Sequence, residues 1–404
     1  MLYAVRLMPY IVRVPIVERD GALSRGSATW LLYGAFGCMA FLLNGLGAVL
    51  NPLQKDLHVS RGVVGIYPSV FAAGLILVGV AGARLVSWIG REAALRLALA
   101  GMILGGLFLA APAPAVTLVG TLSVGLGAAL LIQLVPAGLS ALHPRAPAGA
   151  IGEANGLASA ASILAPLSVA AALAAGIGWR PGYLVPPLVG LAGITFLARR
   201  LRIPGATSST REIHAVASAP MLGRWVDLLV AVSIEFCIVF WAASAVIAWD
   251  HASATQAPTL ASLFLLGMAT ARISSVQIIR RIPNQRALIL ACTGGATAGF
   301  ALFWAAPTLG FAALGLFLSG LGIALLYPTA LSRVVAAWPQ APDRAAARAA
   351  LASGLAIGGA PFLLAQLSDL LGLRRAFLIV PGLLLLLAIR GGKPERTNPR
   401  PLGT

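Results

Sequence analysis

The segment RRLRIPGATSSTREIHAVASAP, residues Arg199–Pro220, is the longest interval of this 404-residue chain that is neither apolar nor typical of a helix. It lies close to the midpoint of the chain. Similar sequences recur on either side of it, and such internal repeats indicate that one structural unit occurs more than once. We therefore interpret the segment as a loop that joins two related halves.

Three matches across this loop have nearly the same offset. Any one of them could arise by chance in so apolar a chain, but they also keep the same order and spacing. Together they predict a structural unit that occurs twice. The matches are GWRPGYLVPP at 178–187 with GLRRAFLIVP at 372–381, GLGAALL at 125–131 with GLGIALL at 320–326, and FAAG at 71–74 with FLLG at 264–267, at offsets of 194, 195 and 193.

The composition indicates the solvent that surrounds the chain. Hydrophobic residues make up 59% of it and charged residues only 10%, whereas soluble domains carry about 25% charged residues. A chain this apolar predicts a membrane protein. The formal net charge of +17 does not indicate nucleic acid, because the arginines lie between apolar runs and not on a polar face with aromatic neighbours.

The cysteines and the N-terminal segment carry no further signal. Cys38, Cys237 and Cys292 each lie inside an apolar run without CxxC spacing, which predicts buried packing residues and no disulfide framework or metal site. Residues 1–29 contain four arginines and no uninterrupted apolar run, so they do not predict a signal peptide. We expect no cofactor.

Twelve segments come close to the roughly 20 apolar residues that a membrane-spanning helix needs. Glycine, proline and clusters of charge separate them, and the sixth and twelfth are short. The twelve predicted spans are Trp30–Leu50, Val63–Ala83, Ala93–Ala111, Val116–Leu139, Gly152–Ala175, Tyr183–Ala198, Trp225–Ala248, Pro258–Ile279, Ala287–Ala306, Gly310–Leu331, Ala345–Leu370 and Ala376–Ile389.

The distribution of lysine and arginine predicts the orientation, because these residues are retained on the cytoplasmic side during insertion. With twelve spans and both termini on that side, the cytoplasmic tails and loops carry 23 lysines and arginines. The opposite side carries five, namely Lys55, Arg61, Arg180, Arg374 and Arg375. The sequence thus predicts a multi-pass protein of the plasma (inner) membrane with both termini in the cytoplasm.

The two halves should also have the same orientation, because an even number of spans separates their starting points. This predicts an all-α membrane protein made of two parallel, pseudo-symmetric six-helix bundles. We expect a cytoplasmic tail at 1–29, a first bundle at 30–198, a cytoplasmic loop at 199–222, a second bundle at 223–390 and a cytoplasmic tail at 391–404.

After residue 29 the sequence resembles the major facilitator superfamily (MFS) of transporters. The segment ARLVSWIGR at 83–91 is similar to the family's loop signature GxLaDrxGRR, although Ala83 replaces the first glycine and Ser87 the acidic residue. The segment TLSVGLGAA at 121–129 is similar to the signature RxxxGxGaa, with Thr121 in place of the arginine. Two further family elements are Gly178-Trp179-Arg180 and Tyr327-Pro328.

The resemblance implies the MFS fold, with twelve transmembrane helices, and secondary active transport by alternating access. The replaced aspartate and arginine argue against the usual drug–proton antiport mechanism. No phosphate-binding loop, HExxH or GxSxG motif is present, so neither ATP-driven transport nor hydrolase chemistry is expected, and we predict that the protein is not an enzyme.

Two ionisable residues, Glu235 and Arg272, lie deep within predicted spans. Such a residue costs about 2.5–3.5 kcal/mol at the membrane centre, so it needs a partner or a function. Both lie roughly 12–16 Å from the cytoplasmic end of their helices, and neighbouring helices can bring them together. Either they form an ion pair that fixes helix packing, or they line the central cavity, where Arg272 binds an anionic group and Glu235 takes up a proton.

Uncharged residues within the spans are further candidates for substrate binding. The MFS resemblance places the first, fourth, seventh and tenth spans around the cavity, which favours Asn44, Gln133, Tyr327 and, as an apolar wall, Trp241. Hydrogen bonding between helices is the alternative role for each polar residue. Glu153 is expected to form an ion pair with a loop arginine such as Arg145.

The sequence as a whole predicts a secondary active transporter for a small organic solute. Arg272 favours an anion, Glu235 favours coupling to protons, and facilitated diffusion stays open. The alternative is a membrane sensor or scaffold that has a transporter fold but does not transport. Expected partners are the small-molecule substrate and membrane lipid, without nucleic acid, and the expected state is a monomer.

Overall fold

The computed structural model describes residues 25–144, 147–198, 219–249, 252–336 and 342–391. Within these ranges the chain forms sixteen helices and no β-strand. The helices of the first half are α1 (Ser27–Leu57), α2 (Arg61–Val64), α3 (Ile66–Ile89), α4 (Arg91–Leu109), α5 (Pro114–Leu142), α6 (Pro147–Ala174) and α7 (Trp179–Leu197). Those of the second half are α8 (Ala219–Ala248), α9 (Ala257–Ile273), α10 (Ser275–Arg281), α11 (Gln285–Trp304), α12 (Leu309–Ile323), α13 (Leu326–Ala336), α14 (Pro342–Leu371), α15 (Leu373–Ala376) and α16 (Ile379–Gly391).

These helices make twelve crossings, in agreement with the twelve predicted spans. Nine helical segments in the described part of the chain are long and apolar enough to cross a membrane. The shorter helix α9, helix α7 and the pair α15–α16 complete the set. Large apolar side chains such as Val80 and Phe196 are more than two-thirds exposed, which suits a surface that faces lipid.

Four of the crossings consist of two helices in succession: α2–α3, α9–α10, α12–α13 and α15–α16. The α12–α13 break has a clear local cause. Pro328 has no amide hydrogen and its ring clashes with the carbonyl four residues earlier, so the helical ladder cannot continue through Ala324. Helix α12 accordingly ends at Ile323, and α13 begins at Leu326.

The predicted duplication is confirmed by contacts that recur at the same offset. The Nε atom of Arg180 donates a hydrogen bond to the carbonyl of Ala110 at 3.1 Å. The Nη2 atom of Arg374 donates to the carbonyl of Trp304, also at 3.1 Å. Both members of the second pair lie 194 residues after those of the first. The two halves therefore fasten their third and sixth crossings in the same way.

Glycines in the two halves also make equivalent close contacts. A Cβ atom on Gly125 would overlap the carbonyl of Phe71, and a Cβ atom on Gly320 would overlap the carbonyl of Phe264. Each glycine therefore allows the fourth crossing of its half to approach the second crossing closely. Two six-helix bundles related by pseudo-symmetry result.

The predicted central loop at 199–222 lies largely outside the described residues, because the structure describes the chain again from Ala219. Residues 1–24 and 392–404 also lie outside. Helix α1 begins at Ser27 and α8 at Ala219, earlier than the predicted spans begin. The proposed boundaries of the tails and the loop remain predictions.

The five basic residues predicted to lie opposite the cytoplasm occur at one face of the bundle. Lys55 and Arg180 border one cleft at this face, and Arg61, Arg374 and Arg375 border another. We call this face the arginine-poor side and the other face the arginine-rich side.

The two halves contact each other along a line that begins at the arginine-poor side. The backbone amide of Gly62 donates to Asp369 Oδ2 at 2.8 Å, and Gln366 Nε2 donates to the carbonyl of Gly62 at 3.2 Å. Deeper in the bundle, Ser69 Oγ donates to the carbonyl of Gly358 at 2.7 Å. We call this contact between residues 62–76 and residues 354–369 the seam.

Further contacts between the halves lie beside the seam. A Cβ atom on Gly47 of α1 would overlap the backbone of Val239 and Phe240 in α8, so these helices touch at the backbone. Helix α6 also packs against α9. The bundle is therefore closed at the arginine-poor side.

The seam predicts the effect of enlarging a glycine within it. In Gly65→Ala, the new methyl group would overlap Cβ of Ala365, so we expect fewer molecules closed at the arginine-poor side. Spin labels on the exposed residues Ser60 and Leu370 would report this change as a longer distance component in pulsed electron resonance.

Gly79→Ala is the matched control, because a Cβ atom at this α3 position meets no atom within 4 Å. Its distance distribution should match that of the wild-type protein. A Gly65→Ala distribution that also matches the wild type would contradict the described seam.

Candidate functional site

Glu235 and Arg272 meet inside the second half. Nη2 of Arg272 lies 3.3 Å from Oε1 and 3.5 Å from Oε2 of Glu235. Glu235 is on α8, and Arg272 is the penultimate residue of α9. The Glu235 side chain is 12% exposed and that of Arg272 is 39% exposed. The predicted pairing is therefore present, and the Arg272 side chain remains partly exposed.

The guanidinium of Arg272 also reaches the broken tenth crossing. Its Nε atom donates to the carbonyl of Ala324 at 3.5 Å. Helix α9 itself ends at Ile273, and Ser274 has a φ of −85° and a ψ of 6°, outside the α-helical region. Arg272 thus lies where two interrupted crossings meet.

Tyr327 belongs to the same region. It is the second residue of α13, it is partly buried, and it lies three residues after Ala324, whose carbonyl accepts a hydrogen bond from Arg272. The seventh, eighth and tenth crossings therefore bring three of the six predicted binding residues together.

Asn44 and Gln133 bind other helices of the first half. Asn44 Nδ2 donates to Ser162 Oγ of α6 at 2.9 Å and to the carbonyl of Ala40 at 3.1 Å. Gln133 Nε2 donates to the carbonyl of Val78 in α3 at 3.2 Å. Both side chains therefore make interhelical hydrogen bonds, which was the alternative to a role in substrate binding. Both remain only partly buried.

Trp241 has little contact with open space in this conformation. Its side chain is 1% exposed, and its Nε1 atom donates to the carbonyl of Pro361 at 3.0 Å. It therefore joins α8 to α14. The sequence placed Trp241 on a helix near the cavity, but not the direction of its side chain.

Glu153 pairs with Arg25 near the arginine-rich end of the first half. Arg25 Nε and Tyr33 Oη each donate to Glu153 Oε2 at 2.9 Å. The predicted partner, Arg145, lies outside the described residues. The prediction missed Arg25 because residues 1–29 were assigned to a tail, whereas α1 already begins at Ser27.

A buried carboxylate in the first third of α8, Asp227, was not among the predicted site residues. The Asp227 side chain is 7% exposed and lies 2.6 Å from Arg390 Nε and 3.7 Å from Arg333 Nη1. It ties the seventh crossing to the ends of the tenth and twelfth. An acidic residue at the start of a long apolar run was the available signal for such a cluster.

Two clefts open at the arginine-poor side. The smaller has a volume of about 290 Å³ and is lined by residues that include Asn51, Lys55 and Arg180. The larger has a volume of about 940 Å³ and is lined by residues that include Trp304 and Arg374. Neither is lined by the predicted binding residues. The described residues contain no group of three or more His, Cys, Asp or Glu side chains that could hold a metal ion.

A family model described as the Major Facilitator Superfamily matches residues 32–341. The chain belongs to this superfamily. It is therefore a multi-pass membrane protein with a transporter fold and not an enzyme, as the sequence predicted. No curated protein sequence matches the chain.

Solved transporters have the same fold. A bacterial homologue of the human lysosomal transporter Spinster, in an inward-facing and unoccupied conformation, has a TM-score of 0.72 and 13% identity, over 92% of this chain and 97% of that chain. A mutant of the nucleoside transporter NupG has a TM-score of 0.74 and 12% identity, over 90% and 99%. A D-xylose–proton symporter has a TM-score of 0.69 and 14% identity, over 90% and 97%. At such low identity these similarities establish the fold alone.

The packing of Trp241 leads to a test of its role. Trp241→Phe removes the donor to the Pro361 carbonyl, so we expect a loss of about 1 kcal/mol in stability, as for a typical net hydrogen bond. Thermal unfolding of the purified protein measures the loss. Trp88→Phe is the control, because the Trp88 side chain is 84% exposed. Unchanged stability in Trp241→Phe would contradict the structural role.

Proposed function

We propose that this protein is a secondary active transporter that moves a small organic anion together with a proton by alternating access. The observation that supports this proposal most strongly is the pair of Glu235 and Arg272. Glu235 lies near the middle of the apolar helix α8, its partner Arg272 lies at the end of α9 inside the eighth crossing, and the Arg272 side chain is 39% exposed. A pair that served packing alone would be expected to shield both of its members.

Arg272 would bind the anionic group of the substrate. Guanidinium groups bind carboxylates and phosphates through charge-assisted, often bidentate hydrogen bonds. The bonds between Arg272 and Glu235 are 3.3 and 3.5 Å long, which is longer than the usual 2.7–2.9 Å of such bonds. A substrate carboxylate could therefore replace Glu235 without the loss of a strong interaction.

Glu235 would couple this exchange to a proton. When a substrate anion occupies Arg272, the Glu235 carboxylate loses its counter-charge inside the bundle, and an unpaired buried charge is costly. Proton uptake removes that cost. The site then has no net charge when empty, as Glu⁻ and Arg⁺, and none when loaded, as neutral Glu, Arg⁺ and the anion. This balance suits a site that must change its exposure within lipid.

The arrangement of the two halves supports movement between two states. The seam closes the arginine-poor side through contacts at Gly62, Ser69 and Gly358. On α6, a Cβ atom at Gly152 or Gly156 near the arginine-rich end would meet no atom within 4 Å. We infer that the site opens toward the arginine-rich side here, and that rocking of the bundles exposes it on the other side.

The orientation and location follow from the sequence. With the arginine-rich side in the cytoplasm, both termini are cytoplasmic, and the state described here faces inward. We propose a monomer in the plasma (inner) membrane. Asn44, Gln133, Trp241 and Tyr327 remain proposed contributors to binding. Tyr327 has the strongest support because it lies three residues after Ala324, whose carbonyl contacts Arg272.

A second candidate function is that of a non-transporting sensor or scaffold. Ser87 stands in place of the acidic residue of the family's loop signature, and its Oγ atom donates to the carbonyl of Arg84 within its own helix at 2.8 Å. A side chain used in this way makes no charged contact with another helix. Purified protein that moves no solute but binds a protein partner would favour this candidate.

Transport by reconstituted protein tests the main proposal. Proteoliposomes with an imposed pH gradient would receive labelled benzoate, lactate and citrate as test carboxylates, with benzamide as a neutral control. We expect accumulation of at least one carboxylate and none of benzamide. Arg272→Gln should raise the KM for that carboxylate at least about tenfold, the usual scale for loss of a charge-assisted contact. Glu235→Gln should retain exchange of the anion but lose accumulation driven by protons.

The matched controls are Glu92→Gln and Arg96→Gln. These residues form an exposed pair of the same chemical kind, at 3.5 Å on the surface of α4. Both controls should transport like the wild-type protein. Wild-type substrate and pH dependence in both site variants would end the proposal.

A further inference from the structure

Pro328 leaves one backbone carbonyl of the tenth crossing without its helical donor. In an α-helix the amide of residue i donates to the carbonyl of residue i−4. Residue 328 has no amide hydrogen, so the carbonyl of Ala324 cannot receive this bond. The next residue does continue the pattern, because the Thr329 amide donates to the Leu325 carbonyl at 3.1 Å.

Arg272 supplies a donor to this carbonyl. Its Nε atom lies 3.5 Å from the oxygen of Ala324, while Nη2 of the same guanidinium faces both oxygens of Glu235. Within the residues that the structure describes, Nη1 has no acceptor at hydrogen-bond distance. A planar group held at Nε and Nη2 has a fixed orientation, so the direction of Nη1 is fixed as well.

We propose that Pro328 is a positioning residue for the anion site, because it frees the Ala324 carbonyl to hold Arg272 in an orientation that leaves Nη1 available to an anion. The role in transport rests on the proposed function. The contact itself does not, because it is a property of the empty protein. Pro328 thus does more than break a helix: the break provides an acceptor at the site where an orienting group is needed.

The same contact connects the occupant of the site to the tenth crossing. An anion bound to Nη1 and Nη2 pulls on the guanidinium. The Nε atom of this group is hydrogen-bonded to the carbonyl of Ala324, the residue that directly follows α12. Helices α12 and α13 are joined there by only Ala324 and Leu325, outside either helix. Substrate binding therefore acts on the point at which this crossing can bend.

Two substitutions of Arg272 separate the contact with Ala324 from the contact with Glu235. Glutamine carries its side-chain nitrogen at the position of arginine Nε, so Arg272→Gln keeps the donor to Ala324 and loses Nη1 and Nη2. Methionine has a similar length and no donor, so Arg272→Met loses every contact. The difference in thermal stability between the two variants reports the bond to Ala324.

Pro328→Ala restores the amide hydrogen of residue 328 and should give the Ala324 carbonyl its helical donor. We expect Arg272→Gln to be more stable than Arg272→Met in the wild-type background and equally stable in the Pro328→Ala background. Pro136→Ala is the control background, because Pro136 lies inside α5, in the other half and away from Arg272. There the difference should keep its wild-type size. Pro328→Gly, which also restores the amide, provides a second variant if Pro328→Ala folds poorly.

A difference that persists in full in the Pro328→Ala and Pro328→Gly backgrounds would overturn the proposal, as would the absence of any difference in the wild-type background. Neither measurement uses a substrate, so failure of the proposed transport function would leave this test intact.

Kinetics distinguish positioning from a purely structural role. For a carboxylate that passes the transport test, Pro328→Ala should raise KM about fivefold, as expected when a modest hydrogen bond no longer orients the binding group, with kcat nearly unchanged. Pro136→Ala should leave KM unchanged. Equal losses of kcat in both proline variants without a change in KM would contradict positioning.

Discussion

The cost of a charge inside an apolar helix bundle is the constraint on which the rest of this structure depends. Glu235 and Arg272 are tolerated at their depth only because each carries the counter-charge of the other. The bonds between them are long, and the Ala324 carbonyl adds a third group. The pair therefore fixes the relative positions of α8, α9 and the α12–α13 break while it remains weak enough to exchange partners.

The site breaks the symmetry of the fold. The halves share the Arg180 and Arg374 contacts and the glycine contacts of their second and fourth crossings, yet only the second half carries the ion pair. The positions 193 and 194 residues before Glu235 are Leu42 and Phe41, and those before Arg272 are Gly79 and Val78. The duplicated frame provides two bodies that can rock, and one body holds the charge.

Much of the fold followed from sequence because apolar length and charge are local properties. The twelve spans, the repeat and the pairing of Glu235 with Arg272 depend on where residues lie along the chain and at what depth. Side-chain direction, in contrast, is not a local property. Trp241 lies on its predicted helix, where its indole donates to the Pro361 carbonyl. Asn44 also lies on its predicted helix, where its amide makes the interhelical bond to Ser162 that the sequence left open as its alternative role.

The other residues that were not predicted take part in long-range contacts, which a local sequence pattern cannot reveal. Arg25 was assigned to a tail, although it binds Glu153 on a helix more than a hundred residues away. Asp369 and Gln366 gave no signal as seam residues because their partner, Gly62, offers only backbone atoms. To predict that Pro328 frees an acceptor, one would need to know both the helix break at Ala324 and the distance from its carbonyl to Arg272.

The central claim is that a substrate anion replaces Glu235 as the partner of Arg272 while one proton neutralises Glu235. Parallel recording of membrane current, proton flux and uptake of a labelled carboxylate in wild-type proteoliposomes tests it most directly. The account predicts one proton taken up for each monovalent anion and no net current. Anion uptake that carries current and moves no proton would contradict it.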